Sequence, residues 1–208
     1  MDINQITSEY NVSRETFIKL QEFAELLKEW NQKMNLVSRN SLEVLWERHI
    51  LDSMQLVNYI PDTAKNILDI GSGAGFPGIV LAILLQEKMP QTKLTLVESI
   101  TKKTIYLNDV CAKLGLSNVA VKNVRVESAV LNRPDVVTAR AVASLNVLCG
   151  YVRKISKDNT ESLFLKGQSY KEEIKEAQKF WNFDVKVFAN KYCEDGVVLK
   201  ISRIRENK

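Results

Sequence analysis

The sequence predicts an α/β protein: a seven-stranded, mostly parallel sheet with an antiparallel C-terminal hairpin, preceded by a helical appendage over residues 1–60. Three observations predict it. Apolar residues recur at spacings of three and four up to about residue 57. From Lys65 onward, short apolar runs alternate with helix-period segments, the pattern of a parallel sheet covered on both faces. The last two apolar runs leave no room for a helix between them, so they must pair as an antiparallel hairpin.

Ser13 can cap a helix whose apolar stripe is Phe17, Leu20, Phe23, Leu27, Trp30 and Met34. A second helix is expected to begin near Ser41, with Leu42, Leu45, Ile50, Met54 and Val57 on one side, and to stop before Pro61. Residues 61–208 then read as the sheet domain. "NILDI" (66–70) is a short buried strand, and 77–87 a helix stopped before Pro90. A strand at 93–98 precedes a helix at 101–114 that Gly115 ends. Strands follow at 118–122 and 135–140, then a helix at 144–155, a strand at 161–166 and a helix at 170–181. The hairpin strands are 184–189 and 196–202.

A chain of 208 residues, 45% hydrophobic and 26% charged, suits one globular domain with a small appendage. No run approaches the length of a transmembrane helix. The start, MDINQITSEY, has neither the basic nor the apolar region of a secretory signal. Cysteines at 111, 149 and 193 form no CxxC and have one histidine for company. Neither a disulfide framework nor a metal site is expected, and reduced thiols in a cytoplasmic protein fit better. Residues 1–60 carry 6 basic and 9 acidic side chains, and residues 61–208 carry 23 and 16. That asymmetry admits an anionic partner for the larger part.

"NILDIGSGAGFPGIVLAILL" (66–85) places glycines 71, 73, 75 and 78 between a strand and a helix. In open α/β sheets this is where a nucleotide-like ligand sits. A P-loop would need a lysine after the glycines, and none follows. GAGFPG matches the dinucleotide pattern, but Pro77 has no N–H to give a phosphate, and Asp69 would repel one. S-adenosylmethionine, with its ammonium and sulfonium, suits an anion there. Asp69 can take the ammonium, and Gly71, Gly73 and Gly75 let the backbone approach. Glu98, ending the next strand, can accept both ribose hydroxyls. The residues thus favour a Rossmann-like, class I methyltransferase over a dinucleotide enzyme or a purely structural loop.

Further segments point the same way. "EWNQKMNLVS" (29–38), "RHILDS" (48–53), "LDIGSGAGFPGIVLAI", "VES" with "KK" (97–103), "RVE" (125–127), "TARAVASL" (138–145) and "LKG" (165–167) occur in order. Together they resemble the bacterial small-subunit rRNA guanine-N7 methyltransferases, the RsmG or GidB family, over nearly the whole chain. The resemblance implies S-adenosylmethionine contacts at Gly71, Phe76, Val126 with Glu127, and Arg140. It implies a target guanine in 16S rRNA near the decoding site, on the RNA or the small ribosomal subunit particle, and a monomeric enzyme. Where many members have glycine before R-x-E, this chain has Val124, which bears on the adenine pocket.

Guanine N7 is a lone pair without a proton, so its methylation needs positioning rather than a general base. Arg125, Arg140 and Lys166 fall at carboxyl ends of expected strands and are assigned to the catalytic site. Arg125 and Lys166 would place RNA or guanine, and Arg140 would close over the donor. Lys102 and Lys103 open a helix and are either RNA contacts or solvated. His49 is expected to pack between appendage and core, with Asn35 and Asp52 tying the appendage down. Trp30 and Trp46 are expected in the core rather than as base-stacking platforms. Two alternatives remain at this point: methylation of a small molecule or protein, and a non-catalytic RNA-binding module.

Overall fold

The computed structural model describes residues 3–129, 133–157 and 159–207. Seven strands form one sheet: β1 (Asn66–Ile70), β2 (Lys93–Glu98), β3 (Val119–Asn123), β4 (Val136–Arg140), β5 (Glu161–Lys166), β6 (Trp181–Ala189) and β7 (Val197–Glu206). Their order is β3-β2-β1-β4-β5-β7-β6. β1 to β5 are parallel, and β7 runs antiparallel between β5 and β6. The expected hairpin is therefore present, with its second strand inserted beside β5. The winding direction reverses between β1 and β4, so a crevice opens beyond the carboxyl ends of these strands.

Both sheet faces are covered, which is why β1 buries four successive residues. Ile67, Leu94 and Leu96 face one apolar cluster, and Leu68, Ile70 and Val97 the other, as alternation along a strand requires. Helix α7 (Leu145–Ile155) lies on the second face, packing Leu148 and Val152 with Phe164 and Leu199, and α8 (Tyr170–Ala177) packs against α7. On the first face lie α5 (Gly78–Lys88) and α6 (Thr101–Lys113). α5 buries every residue from Gly78 to Leu85. A helix apolar all round must be covered on both sides, and the N-terminal helices supply the outer cover.

That cover consists of α1 (Ile3–Tyr10), α2 (Arg14–Asn31), α3 (Arg39–Glu43) and the segment after it. Ser13 caps α2 as its sequence position predicts, accepting from Thr16 N at 3.2 Å. Glu87 at the end of α5 accepts from both Ser13 N and Ser13 Oγ at 3.0 Å, fixing the start of α2 to the sheet domain. Phe17, Leu20, Phe23 and Leu27 belong to the same apolar cluster as α5 and α6. Phe23 is fully buried, and its ring centroid lies 5.4 Å from that of Phe76 in the glycine loop. No helix among the described residues is long and apolar enough to cross a membrane.

Two expectations about elements are corrected. The second N-terminal helix starts at Arg39, because Ser38 takes the cap, and it breaks at Val44. A π-helical turn, Trp46–Leu51, then leads into the single turn α4 (Asp52–Met54) and a 3-10 turn, Gln55–Tyr59. Leu45 and Ile50 are both buried yet five residues apart, a spacing that an i→i+5 turn keeps on one face and an α-helix does not. α8 also ends at Ala177 rather than near residue 181, and β6 begins at Trp181, whose Nε1 donates to Asn146 Oδ1 at 2.7 Å.

Phe23→Ala is expected to cost about 3–5 kcal/mol in urea unfolding. Phe23 touches the glycine loop as well as the core, so the substitution is also expected to weaken ligand binding in that loop.

Candidate active site

The chain leaves β1 into a loop whose Gly71, Gly73 and Gly75 have φ of +64°, +52° and +93°. Only glycine adopts such angles without strain. Gly71 N and Ser72 N donate to Val97 O at 2.8 and 3.1 Å. The buried Tyr106 hydroxyl donates to Ala74 O at 3.0 Å. The loop is thus tied to β2 and braced from α6. Glu98, at the carboxyl end of β2, accepts from Gly73 N at 3.0 Å through Oε2 and from Ile100 N at 2.8 Å through Oε1. Each oxygen keeps a lone pair for a hydroxyl donor.

These groups open onto a cavity of about 530 Å³ lined by Gly71, Gly73, Phe76, Glu98, Lys103 and Arg140. Leu36 and Val37 close it from the N-terminal layer. Their amides donate to Asn31 Oδ1 at 2.8 and 2.9 Å. The polar tie that holds this turn is therefore Asn31; Asn35, expected in such a role, is exposed. A glycine backbone, a carboxylate with free lone pairs and an aromatic ring suit the sugar and the neutral parts of S-adenosylmethionine.

Arg140, the last residue of β4, is the hub of the site. Its Nε is 3.0 Å from Asp52 Oδ2, its Nη2 donates to Arg48 O at 2.7 Å, and its Nη1 donates to His49 Nδ1. Asp52 also accepts from Gln55 Nε2 at 3.1 Å and from Asn190 Nδ2, so the hub reaches past β6. Burial pushes the Asp52 carboxyl up and the Arg140 guanidinium down, against their mutual attraction. His49 is buried, and its ring stacks on Phe76 with centroids 4.9 Å apart. It thus packs between appendage and core as expected, and lines the 530 Å³ cavity.

Arg140 also lines a second, larger cavity of about 940 Å³, together with Ala141 and Val142. Its other walls come from the π-helical turn, from Lys166 and Gly167 after β5, and from Tyr192, Cys193 and Asp195 after β6. The cation of Lys166 is engaged rather than free: Nζ donates to Ala143 O and pairs with Glu173 Oε2, each at 2.7 Å.

Several expected site residues fall elsewhere. Asp69 is fully buried beneath the loop rather than at its mouth. Its Oδ1 accepts from Thr138 Oγ1 at 2.6 Å, and a Cβ on Gly78 would lie 2.6 Å from its Oδ2. Burial pushes its pKa up to about 6. It lines neither cavity, and its Oδ2 has no hydrogen-bond partner among the described residues; what the structure shows of it is a brace under the loop. A Cβ on Gly75 would meet Ile79 at 2.8 Å and Phe23 at 3.1 Å, so this glycine admits α2 rather than a ligand. Val126 and Glu127 sit on a 3-10 turn after β3, where Val124 N donates to Glu98 O at 3.1 Å. Neither lines a cavity of the site; Val126 is buried, and Glu127 accepts from Tyr151 Oη at 2.9 Å. Arg125 and Lys102 are exposed and line neither cavity.

Asn31, Val142 and Asn190 also shape the site, and no sequence expectation names them. A Cβ on Gly71 would meet Val142 at 2.6 Å, so this side chain closes over the first glycine. Val142 stands inside "TARAVASL" and was within reach. Asn190 joins Asp52 across 138 residues, which no local pattern encodes.

Burial, then the charges of Arg140 and Arg48, lowers the pKa of His49 to about 3. Folding therefore requires a neutral ring, while the unfolded chain protonates it near pH 6.5. This contribution to stability is complete above the unfolded value and is lost as pH falls toward 3. The stability gap between the wild type and His49→Gln, measured by urea unfolding, is expected to narrow by about 1.4 kcal/mol per pH unit below that value.

Solved methyltransferases share the fold. The ribosomal protein L11 methylase of Lactobacillus delbrueckii subsp. bulgaricus superposes with a TM-score of 0.58 at 14% identity, over 73% of this chain and 76% of that one. The Aeropyrum pernix fibrillarin with natively bound S-adenosyl-L-methionine gives 0.57 at 16% identity, over 74% and 75%. Sequence relatives are much nearer. The Ribosomal RNA small subunit methyltransferase G of Ruegeria sp. (strain TM1040) is 43% identical over 94% of this chain and 95% of its own length. That of Parvibaculum lavamentivorans is 40% identical over 97% and 89%. Residues 17–197 match the family described as GidB, rRNA small subunit methyltransferase G, and the chain belongs to that family.

Proposed function

We propose that this protein methylates N7 of one guanine of 16S rRNA near the decoding site, using S-adenosylmethionine. It acts in the cytoplasm, as a monomer, on the small ribosomal subunit or its RNA. The observation that carries this reading is the pair of cavities sharing Arg140, Ala141 and Val142, in a chain of this family. A fold with a donor pocket alone would suit any methyltransferase; a second open cavity against it suits a bulky acceptor.

Glu98 would receive the ribose hydroxyls, with Gly71 and Gly73 at the backbone and Phe76 and Arg140 on the far wall. Val126 and Glu127, beyond Glu98, would border the adenine end. S-adenosylmethionine held there would supply an activated methyl for N7, leaving a neutral thioether and a cationic base with no proton to move. No general base is needed, and His49 already spends its Nδ1 on Arg140. The site's two inner cations are compensated, Arg140 by Asp52 and Lys166 by Glu173. Arg48, exposed on the π-helical turn, also lines the larger cavity. Exposed Arg125 would hold RNA phosphates, and Lys166 would position the wall rather than touch N7.

Reduction and aniline treatment cleave RNA at N7-methylguanine. Primer extension on 16S rRNA is expected to show a cut that disappears when the gene is deleted; an unchanged pattern would redirect the search to small-molecule and protein acceptors. Glu98→Ala is expected to weaken donor binding by roughly tenfold or more in calorimetry, the scale of a lost charged hydrogen-bond acceptor.

A further inference from the structure

We infer that a basic cavity beside the amino end of β5, at the far end of the sheet from the glycine loop, is a second seat for the RNA and takes a phosphate of its backbone. The inference rests on the proposed rRNA reading. The cavity, of about 150 Å³, lies between the last turn of α7 and the end of β7. Arg153, Lys157, Arg203 and Arg205 line it together with Ser156 and Thr160, and among the described residues no carboxylate does.

A local irregularity of β7 gathers these cations. Successive side chains of a regular strand point to opposite faces, yet Arg203, Ile204 and Arg205 all line this one cavity. The cause is a bulge. Asn182 is in register with Arg205 and Asp184 with Ser202, so Phe183 alone stands opposite Arg203 and Ile204. Arg203 holds φ at +57°, in the left-handed region that a residue with a Cβ seldom adopts. Two of the four cations are held from outside the cavity, Arg203 by Asp184 and Lys157 by Asp135. Arg153 and Arg205 are exposed and make no hydrogen bond or ion pair among the described residues. Two unpaired guanidiniums brought to one hollow repel each other until an anion joins them. A guanidinium matches the paired oxygens of a phosphate. The excess of basic side chains over residues 61–208 favours a polyanion as the bearer of that phosphate.

β5 relates this cavity to the catalytic end. Thr160, just before β5, lines it, and Lys166, which ends β5, lines the 940 Å³ cavity. Six residues of strand set the two roughly 17 Å apart. A phosphate held so far from the reacting atoms is bound alike in the ground and transition states, so the contact lowers KM and leaves kcat unchanged.

The test is Arg153→Gln combined with Arg205→Gln. Its control combines Arg14→Gln with Lys175→Gln, which removes the same charge from exposed positions elsewhere. 16S rRNA binding is measured by filter retention at several salt concentrations, donor affinity by calorimetry, and 16S rRNA methylation as kcat and KM. The expected result is RNA affinity weakened about fivefold or more, with the slope of log affinity against log salt shallower by about one to two. KM rises by the same factor, while kcat and S-adenosylmethionine affinity stay within about twofold of wild type. Ser156→Asp sets a carboxylate in the cavity and keeps both arginines; it is expected to weaken RNA binding in the same way and serves if the double variant folds poorly. RNA affinity and salt slope equal to those of the control pair overturn the assignment. Calorimetry with inorganic phosphate separates the other source of this anion. Saturable phosphate binding, with RNA affinity unchanged in the double variant, makes the cavity a free-phosphate site and overturns the assignment too. Failure of the rRNA methylation reading is distinct, because the wild type would then leave 16S rRNA unmethylated however its RNA affinity depends on the arginines.

Discussion

The buried ion pair between Arg140 and Asp52 is the constraint on which the rest of the site depends. Arg140 ends the fourth strand, and Asp52 belongs to the N-terminal layer. Taking both charges out of water is costly, and such pairs are seldom worth their desolvation as stability alone. Here the pair does more than join two layers. Its remaining donors go to His49 and to the Arg48 carbonyl, and Asp52 accepts from Gln55 and Asn190. One guanidinium thereby registers the end of β4, the π-helical turn and the segment after β6. Removing it would leave Asp52 buried without its counter-charge.

A second constraint works from below. α5 is apolar on every side, so the sheet domain exposes a large apolar surface unless α2 covers it. Covering it brings Phe23 against Gly75 and Phe76, and brings Leu36 and Val37 over the donor-side pocket. The helical layer is accordingly part of the cavity wall. The same apolar burial that stabilises the layer shapes the mouth of the cavity, which links stability to ligand binding through Phe23 and Phe76.

Much of this was legible in the sequence, and the gaps have physical reasons. The strands of the sheet were readable because burial on both faces makes short continuous apolar runs. The glycine loop and Glu98 were readable because left-handed backbone demands glycine and because the acid closes the next strand. The π-helical turn is encoded in the five-residue step from Leu45 to Ile50, which an ordinary helix period hides. Asp69 was misplaced because a strand pattern gives a residue's position along the chain but not the depth at which its side chain ends. Lys166 is assigned by its strand-end position to placing RNA or guanine, while its pairing with Glu173 on the next helix leaves no local mark in the sequence.

The sequence by itself determined the strand and helix succession, the place of the ligand loop and, through seven ordered motifs, the family. These are properties of local periodicity, backbone permissiveness and residue type, which act over a few residues. The tertiary structure decided what no local pattern carries: that β7 inserts beside β5, that Arg140 meets Asp52 and His49, and that two cavities share Arg140, Ala141 and Val142. Each of these joins residues tens to more than a hundred positions apart. Such contacts are selected by the packing of whole layers and by the desolvation of the groups they enclose, so they exist only once the chain has folded.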